Sequence, residues 1–338
     1  MGHALEQRAY WAPVLAFVLC AGLVRWLVVG AARRFALDRP NERSLHSQPV
    51  PRLGGVGIVC GTLGGWTLVP SALTPSLWVG AVLLGVVSLV EDVRGVPAVA
   101  RFLAHFVAAG YFVYATSAGL LPGPLVPVVV IGIVWVTNLY NFMDGSDGLA
   151  GGMAAFGFGA YGIGAWGAGA HDFALASASI AGAAAAFLLF NFAPAKIFMG
   201  DIGSIPLGFL AASFGVFGWH HDLWPAWFPL LVFSPFLVDA SVTLVARQLR
   251  GEKVWRAHRS HYYQRLVLMG WGHRKVALAE YGLMLAAGTS ALGGVHATTA
   301  VQATVIAGWV AAYGIILRVI DLRWTRFTVT ARRATPET

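Results

Sequence analysis

Apolar runs of about 20 residues recur along almost the whole 338-residue chain. Each is long enough to cross the hydrocarbon core of a bilayer as a helix. The runs fall at about 11–32, 54–72, 76–91, 99–117, 123–142, 149–168, 173–192, 203–219, 223–246, 276–294 and 299–320, which predicts 11 spans. Between them no polar stretch is long enough to bury a core of its own. The chain therefore reads as one all-α polytopic membrane domain over residues 1–338. Only 11% of the residues are charged, against about 25% in soluble chains. The 41 glycines would weaken helices in water, but in lipid they let helices pack closely, as in the run Gly157, Gly159, Gly162, Gly164, Gly167. Cys20 and Cys60 lie in apolar segments and read as packing residues. The first apolar run is too long for a signal peptide, and a basic cluster follows it in place of a cleavage site.

A net charge of +8 could suggest a nucleic-acid partner, but the positions of the basic residues argue against one. They collect in alternate short connections, where they set topology. Arg33, Arg34, Arg39, Arg43 and Arg52 follow the first run, and Arg94 and Lys196 come later. Arg247, Arg250, Lys253, Arg256, Arg259, Arg265, Arg274 and Lys275 precede the tenth run, and Arg323, Arg326, Arg332 and Arg333 close the chain. The opposite connections, around 71–76, 119–123, 169–172, 220–222 and 295–298, contain neither Lys nor Arg. The positive-inside rule then places the N-terminus outside and the C-terminus in the cytoplasm, which requires an odd number of spans. Asp38, Glu42, Glu91, Asp92, Asp144, Asp147, Asp201 and the segment 258–261 map to the cytoplasmic ends of these spans. Ionisable groups in such a setting are functional candidates.

Five constellations carry chemistry. In Asn138-Leu-Tyr-Asn141-Phe-Met-Asp144-Gly-Ser-Asp147, a helical segment would place the two aspartates on one face, where they repel unless a cation or proton lies between them. The alternative is a helix cap with a solvated carboxylate. In Asn191 to Ser204, the Gly-Asp-x-Gly-Ser turn opens a span, where backbone N–H groups favour phosphate and Asp201 either holds Mg²⁺ or caps the helix. Glu91-Asp92 with Arg94 is either a functional pair or a charged boundary. His258, His261 and Arg265 would align on a helix as a cation-rich strip suited to a diphosphate, or form a basic surface for anionic lipid. Residues 38–55, rich in Pro and Gly, read as an ordered loop or a topogenic one. Together they describe carboxylates for a metal and basic groups for phosphates beside lipid, which suits phosphoryl transfer to a lipid-borne acceptor.

These segments resemble the polyprenyl-phosphate N-acetylhexosamine-1-phosphate transferase family. The matching stretches are RPNERSLHSQPVPRLGG, the Glu-Asp of SLVEDVRG, NLYNFMDGSDGLAGG, NFAPAKIFMGDIGS and HRSHYYQRL, in the family's order from about residue 38 to 275. The last is similar to the branch that starts O-antigen and other surface polysaccharides, and unlike the triple-His form of the peptidoglycan enzyme. The resemblance implies that undecaprenyl phosphate attacks the β-phosphorus of a UDP-N-acetylhexosamine, giving a lipid diphosphate sugar and UMP. The sugar would be GlcNAc or a deoxy relative such as FucNAc or QuiNAc. The site would lie on the cytoplasmic face of a bacterial inner membrane, in a monomer or a homodimer.

By position, Asp201 and Asn141 match metal ligands for Mg²⁺, with Mn²⁺ as an alternative. Asp92 matches a carboxylate acting on the lipid phosphate, with Glu91 beside it, and Asp144 matches an essential acid. Asp147, Phe198 and Asn191 match groups near the uridine. His258, Arg259 and His261 match the loop at the diphosphate or sugar, and Asn138, Arg52 and Arg101 complete the expected substrate contacts. The chain departs from the family pattern twice. Glu91 stands where Asp is usual, and the Lys expected early in the fourth span gives way to Arg101 and His105, whose geometry toward phosphate differs. A lipid phosphate, with a second pKa of about 6, needs no strong base. The rival reading is a transporter of ions or lipid-linked sugars, which would place charges near the midplane.

Overall fold

The computed structural model describes residues 7–30, 36–38, 40, 45, 48–117, 122–253 and 258–334. Arg33, Arg34, Arg39, Asn41, Glu42, Arg43, Ser44, His46 and Arg256 lie outside the described residues. The helices are α1 (Ala12–Val29), α2 (Gly54–Trp66), α3 (Pro75–Arg94), α4 (Ala98–Ser117), α5 (Leu125–Phe142), α6 (Leu149–Gly167) and α7 (His171–Asn191). They continue with α8 (Asp201–His220), α9 (Trp227–Val232), α10 (Ser234–Leu249), the short α11 (Tyr262–Leu266), α12 (Gly272–Gly294) and α13 (Thr299–Ala334). One small element departs from an all-helical chain. β1 (Leu37–Asp38) and β2 (Val50–Pro51) form an antiparallel ribbon, with Leu37 opposite Pro51, that closes the loop before α2.

A helix occupies each of the expected apolar segments, and 8 helical stretches are long and apolar enough to cross a membrane. Apart from that ribbon, the described chain is a helical integral membrane protein. The other three segments fall short for separate reasons. α2 stops after 13 residues. In α6 repeated glycines dilute the hydropathy. The ninth segment breaks at Phe233, where Pro229 and Pro235 remove backbone donors from the helix ladder. α3 runs further than the sequence suggests. It includes Glu91, Asp92 and Arg94 in its last turns and ends only at Gly95, whose φ of +78° is the left-handed stop that glycine adopts freely.

α8 is the axis of the bundle, with 78% of its span buried, whereas α13 has 11% buried and lies at the periphery. α3 and α5 flank α8, while α7 packs against α1 and α6. α8 is apolar all round, as a fully enclosed helix must be. Its N-terminus is therefore held by every element around it, and the polar residues gather there.

Candidate active site

The α8 N-terminus is fixed by a close approach of three segments. Gly200 precedes Asp201 with a φ of +73°. A Cβ at position 200 would overlap the Arg52 carbonyl and press on the Asp92 carboxylate. Gly55 and Met199 are joined by an N–H···O bond of 2.8 Å, which brings the start of α2 against the same turn. Asp92 is 3% exposed, and its Oδ2 accepts the Ile202 N–H at 2.9 Å. A buried carboxylate at a helix N-terminus is stabilised by the free N–H groups and the helix dipole. Arg52 Nη2 donates to the Asp92 carbonyl at 2.6 Å, while its Nε lies 3.7 Å from Asp92 Oδ1, too far for a hydrogen bond.

Around the corner, Asp201 Oδ1 accepts from Asn141 Nδ2 at 2.9 Å, and the same Nδ2 reaches Ser204 Oγ at 2.8 Å. A carboxylate only accepts, so the Asn141 nitrogen faces Asp201 and its oxygen points elsewhere. Arg101 Nη1 lies 3.2 Å from Asp201 Oδ2 and 3.3 Å from Glu91 Oε1. Glu91 also accepts the Val96 N–H. The two residues that depart from the family pattern are thus in contact with each other. Asn138 turns inward instead, donating to Val134 O at 2.6 Å and lying 3.3 Å from His105 Nδ1.

The Asp144–Asp147 segment corrects the sequence reading. The two aspartates do not share a helix face, because residues 143–148 form a turn and α6 begins only after Gly148, at φ +77°. Asp147 Oδ2 accepts the Ala195 N–H at 2.9 Å, and its Oδ1 sits 3.9 Å from His273 Nδ1. Asp144 is half-buried on the other side. Burial pushes its carboxyl well above the usual carboxylate range, and Asp201, Asp92 and Asp38 add repulsion in the same direction. Asn191 is buried, with Oδ1 accepting the Gly148 N–H and Nδ2 donating to Ile197 O, each at 2.9 Å. Both ends of its amide are spent clamping two site loops together. Phe198 follows, half-buried, with its N–H on Pro51 O at 2.7 Å.

The histidine strip is also rebuilt. Residues 258–260 are not helical and α11 starts at Tyr262, so His258, His261 and Arg265 do not align on a helix. His258 and His261 still pack together, with tilted rings whose centroids are 4.8 Å apart. Burial pushes the His258 imidazole down to about 4, with His261 and Arg247 adding to the effect, so His258 is neutral near pH 7. Arg265 turns away to Asp321 at 2.7 Å and to Ser260 O at 2.8 Å. Among residues 258–265 the exposed cation is Arg259.

Three supporting residues went unread in the sequence. Asp239, 5% exposed on α10, accepts from the Tyr262 and Tyr263 N–H groups at 3.0 and 2.9 Å, from Thr243 Oγ1 at 3.2 Å, and from His261 Nδ1 at 3.2 Å. It fixes which imidazole nitrogen carries the proton. A carboxylate inside an apolar run is the sequence signal by which it could have been found. His273 joins Ser146 Oγ at 2.8 Å to Leu45 O at 3.2 Å. In the sequence it sits among basic residues that read as topogenic. Asp321 anchors Arg265 and also accepts from Tyr262 OH at 3.3 Å.

Among the described residues, no hydrogen-bond partner reaches the buried Nε of Arg52 or of Arg101. Such orphans are costly, and two at one acidic cluster fit an anionic ligand that brings its own oxygens. Among the described residues no cluster of three or more His, Cys, Asp or Glu side chains could hold a metal ion. Asp201 supplies one carboxylate, and Asn141, whose amide nitrogen now faces it, would supply an oxygen only with that amide turned over. So few protein ligands match Mg²⁺, which retains waters and takes phosphate oxygens from a substrate, and do not match a closed zinc cage. Asp201 fits the expected group as it stands, and Asn141 fits it with its amide turned.

A multi-helix membrane protein with buried carboxylates, unfilled guanidinium donors and a helix N-terminus at one end belongs to the class of membrane enzymes acting on phosphorylated substrates. Comparison with known proteins makes this specific. Residues 74–218 match Glycosyl transferase family 4. A decaprenyl-phosphate N-acetylglucosaminephosphotransferase of Mycobacterium tuberculosis is 30% identical, with 82% of each chain covered. Its Mycolicibacterium smegmatis counterpart is 30% identical over 76% of this chain and 74% of its own. A phospho-N-acetylmuramoyl-pentapeptide-transferase of Levilactobacillus brevis is 31% identical over 72% of this chain and 83% of its own. The chain belongs to glycosyl transferase family 4 and is a sugar-phosphate transferase. The transporter reading gives way to it.

Proposed function

We propose that the protein transfers an N-acetylhexosamine 1-phosphate from its UDP derivative to undecaprenyl phosphate, releasing UMP. The sugar is GlcNAc or a deoxy relative, and the product starts a surface polysaccharide. The chain crosses a bacterial inner membrane eleven times, with the N-terminus outside and the site on the cytoplasmic face. Positive charge at that end of the helices supports this topology. The observation that carries the reading is the α8 N-terminus, where Asp92, Asp201, Asn141 and the unfilled donors of Arg52 and Arg101 meet.

An oxygen of the lipid phosphate forms a bond to the β-phosphorus of the donor, and the bond from that phosphorus to the UMP oxygen breaks. Positioning and charge carry such a step. Arg52 and Arg101 offer N–H groups to phosphate oxygens, and Asp92 beside Arg52 orients the lipid phosphate. Mg²⁺ held by Asp201 and Asn141 would neutralise charge on the diphosphate as UMP leaves. His261, aimed by Asp239, and Arg259 close over the sugar end, while Phe198 and the Asp147 turn border the uridine.

Purified protein in detergent, given Mg²⁺, undecaprenyl phosphate and a panel of UDP-N-acetylhexosamines, should release UMP only with lipid and with one preferred sugar. Release from none of the panel by a folded protein that binds no UDP-sugar would overturn the proposal.

A further inference from the structure

Two arginines near the site are held very differently. Arg265 is 10% exposed, makes a 2.7 Å ion pair with Asp321, and stacks 4.6 Å from the Tyr262 ring centre. It is fixed. Arg101 is 35% exposed and among the described residues makes two long polar contacts, 3.2 Å to Asp201 and 3.3 Å to Glu91, both by the same Nη1. Its buried Nε meets no partner among them. One nitrogen shared between two carboxylates, with a spare donor beside it, is a weak resting arrangement for a guanidinium, whose preferred partner is a planar or phosphate anion met by two N–H groups at once.

The carboxylate that Arg101 holds is the one read above as a metal ligand. Asp201 Oδ2 cannot serve the guanidinium and a divalent cation together without setting like charges side by side. A phosphate oxygen offers Arg101 the acceptor its Nε lacks. Resting on the metal reading of the site, we propose that Arg101 is an exchangeable counter-ion. It neutralises Asp201 until a nucleotide-sugar phosphate draws it off that carboxylate, and this frees Asp201 for the cation. Binding of cation and UDP-sugar is then positively coupled through one side chain, and the coupling is reciprocal. Glu91 acts as the fixed point of the exchange, because it holds the guanidinium from the α3 side while its other partner changes.

The test is Mn²⁺ binding to the full-length protein in detergent, read by electron paramagnetic resonance with and without a UDP-N-acetylhexosamine. In Arg101→Gln, Mn²⁺ alone should bind about fivefold or more tightly than in the wild type. The gain in affinity on adding nucleotide sugar should shrink by a similar factor. A purely electrostatic bystander would tighten Mn²⁺ binding equally with and without nucleotide, and that outcome overturns the exchange, as does an unchanged or weaker Mn²⁺ affinity. Arg101→Met provides the same neutral test if the Gln variant fails to fold. Wild-type protein that takes up no Mn²⁺ under either condition sinks the metal reading and the exchange together. Uptake in the wild type with no change of coupling in the variants sinks the exchange alone.

Discussion

The site has two halves that treat polar groups in opposite ways. At the α8 N-terminus, the contacts from guanidinium to carboxylate are long, at 3.2 to 3.7 Å, Asp201 is half-exposed, and among the described residues nothing fills the Nε donors of Arg52 and Arg101. In the histidine loop nearly every polar atom is answered from within the protein, with Asp239 taking four donors and Asp321 taking Arg265. The first half is built to receive charge from outside, and the second to hold a shape. Mutations should therefore cost activity in one half and structure in the other.

The largest effect should come from Asp201→Asn. Turnover should fall by about a thousandfold, as when a group that stabilises transferred charge is lost. The melting temperature in detergent should stay close to that of wild type. Near-normal turnover would remove the acidic half from the chemistry. Asp239→Ala should behave in the reverse way, because it orphans buried donors in the other half. Thermal stability should drop by the equivalent of about 3–5 kcal/mol, with activity falling as a consequence. An unmoved melting curve would show that the loop is held by something else. Asp321→Asn loosens Arg265 at a partner that is 41% exposed. A loss of about 1 kcal/mol or less, with a modest fall in rate, is expected.

The smallest effect is a pH dependence. His258 sits at about 4 in the fold, below its ordinary value of 6.5. The unfolded chain therefore binds more protons between these values, and stability is lost as pH falls through that window. His258→Gln should flatten the decline of melting temperature between pH 6.5 and 4 by the equivalent of about 1 kcal/mol, after discounting for partial exposure. A parallel decline in both proteins would mean that His258 charges freely and that the strip is cationic after all.

Helix positions were readable in the sequence because hydrophobic length is a one-dimensional signal. The motif segments were readable because Asn, Asp and Gly in series at span ends have no packing role to play. What could not be read were the consequences of folding back. Glu91 and Arg101 lie in neighbouring helices, and only their crossing shows that one nitrogen serves two acids. Asp144 and Asp147 were placed on one helix face by spacing alone, but Gly148 holds the turn open and sends them to different neighbours. The alignment of His258, His261 and Arg265 assumed a helix that begins only at Tyr262, because Asp239 caps the chain there. Asp239 itself was hidden inside an apolar run whose overall hydropathy absorbed it.

The last helix has one more property. α13 is 36 residues long, which is roughly 54 Å at 1.5 Å per residue, against a hydrocarbon core of about 30 Å. Asp321 stands roughly 33 Å along it from Thr299. The histidine loop is thus moored, through Arg265 and Asp321, to a rod longer than a bilayer core is thick and only 11% buried against its neighbours. One ion pair ties the loop built to hold its shape to the least enclosed helix of the bundle.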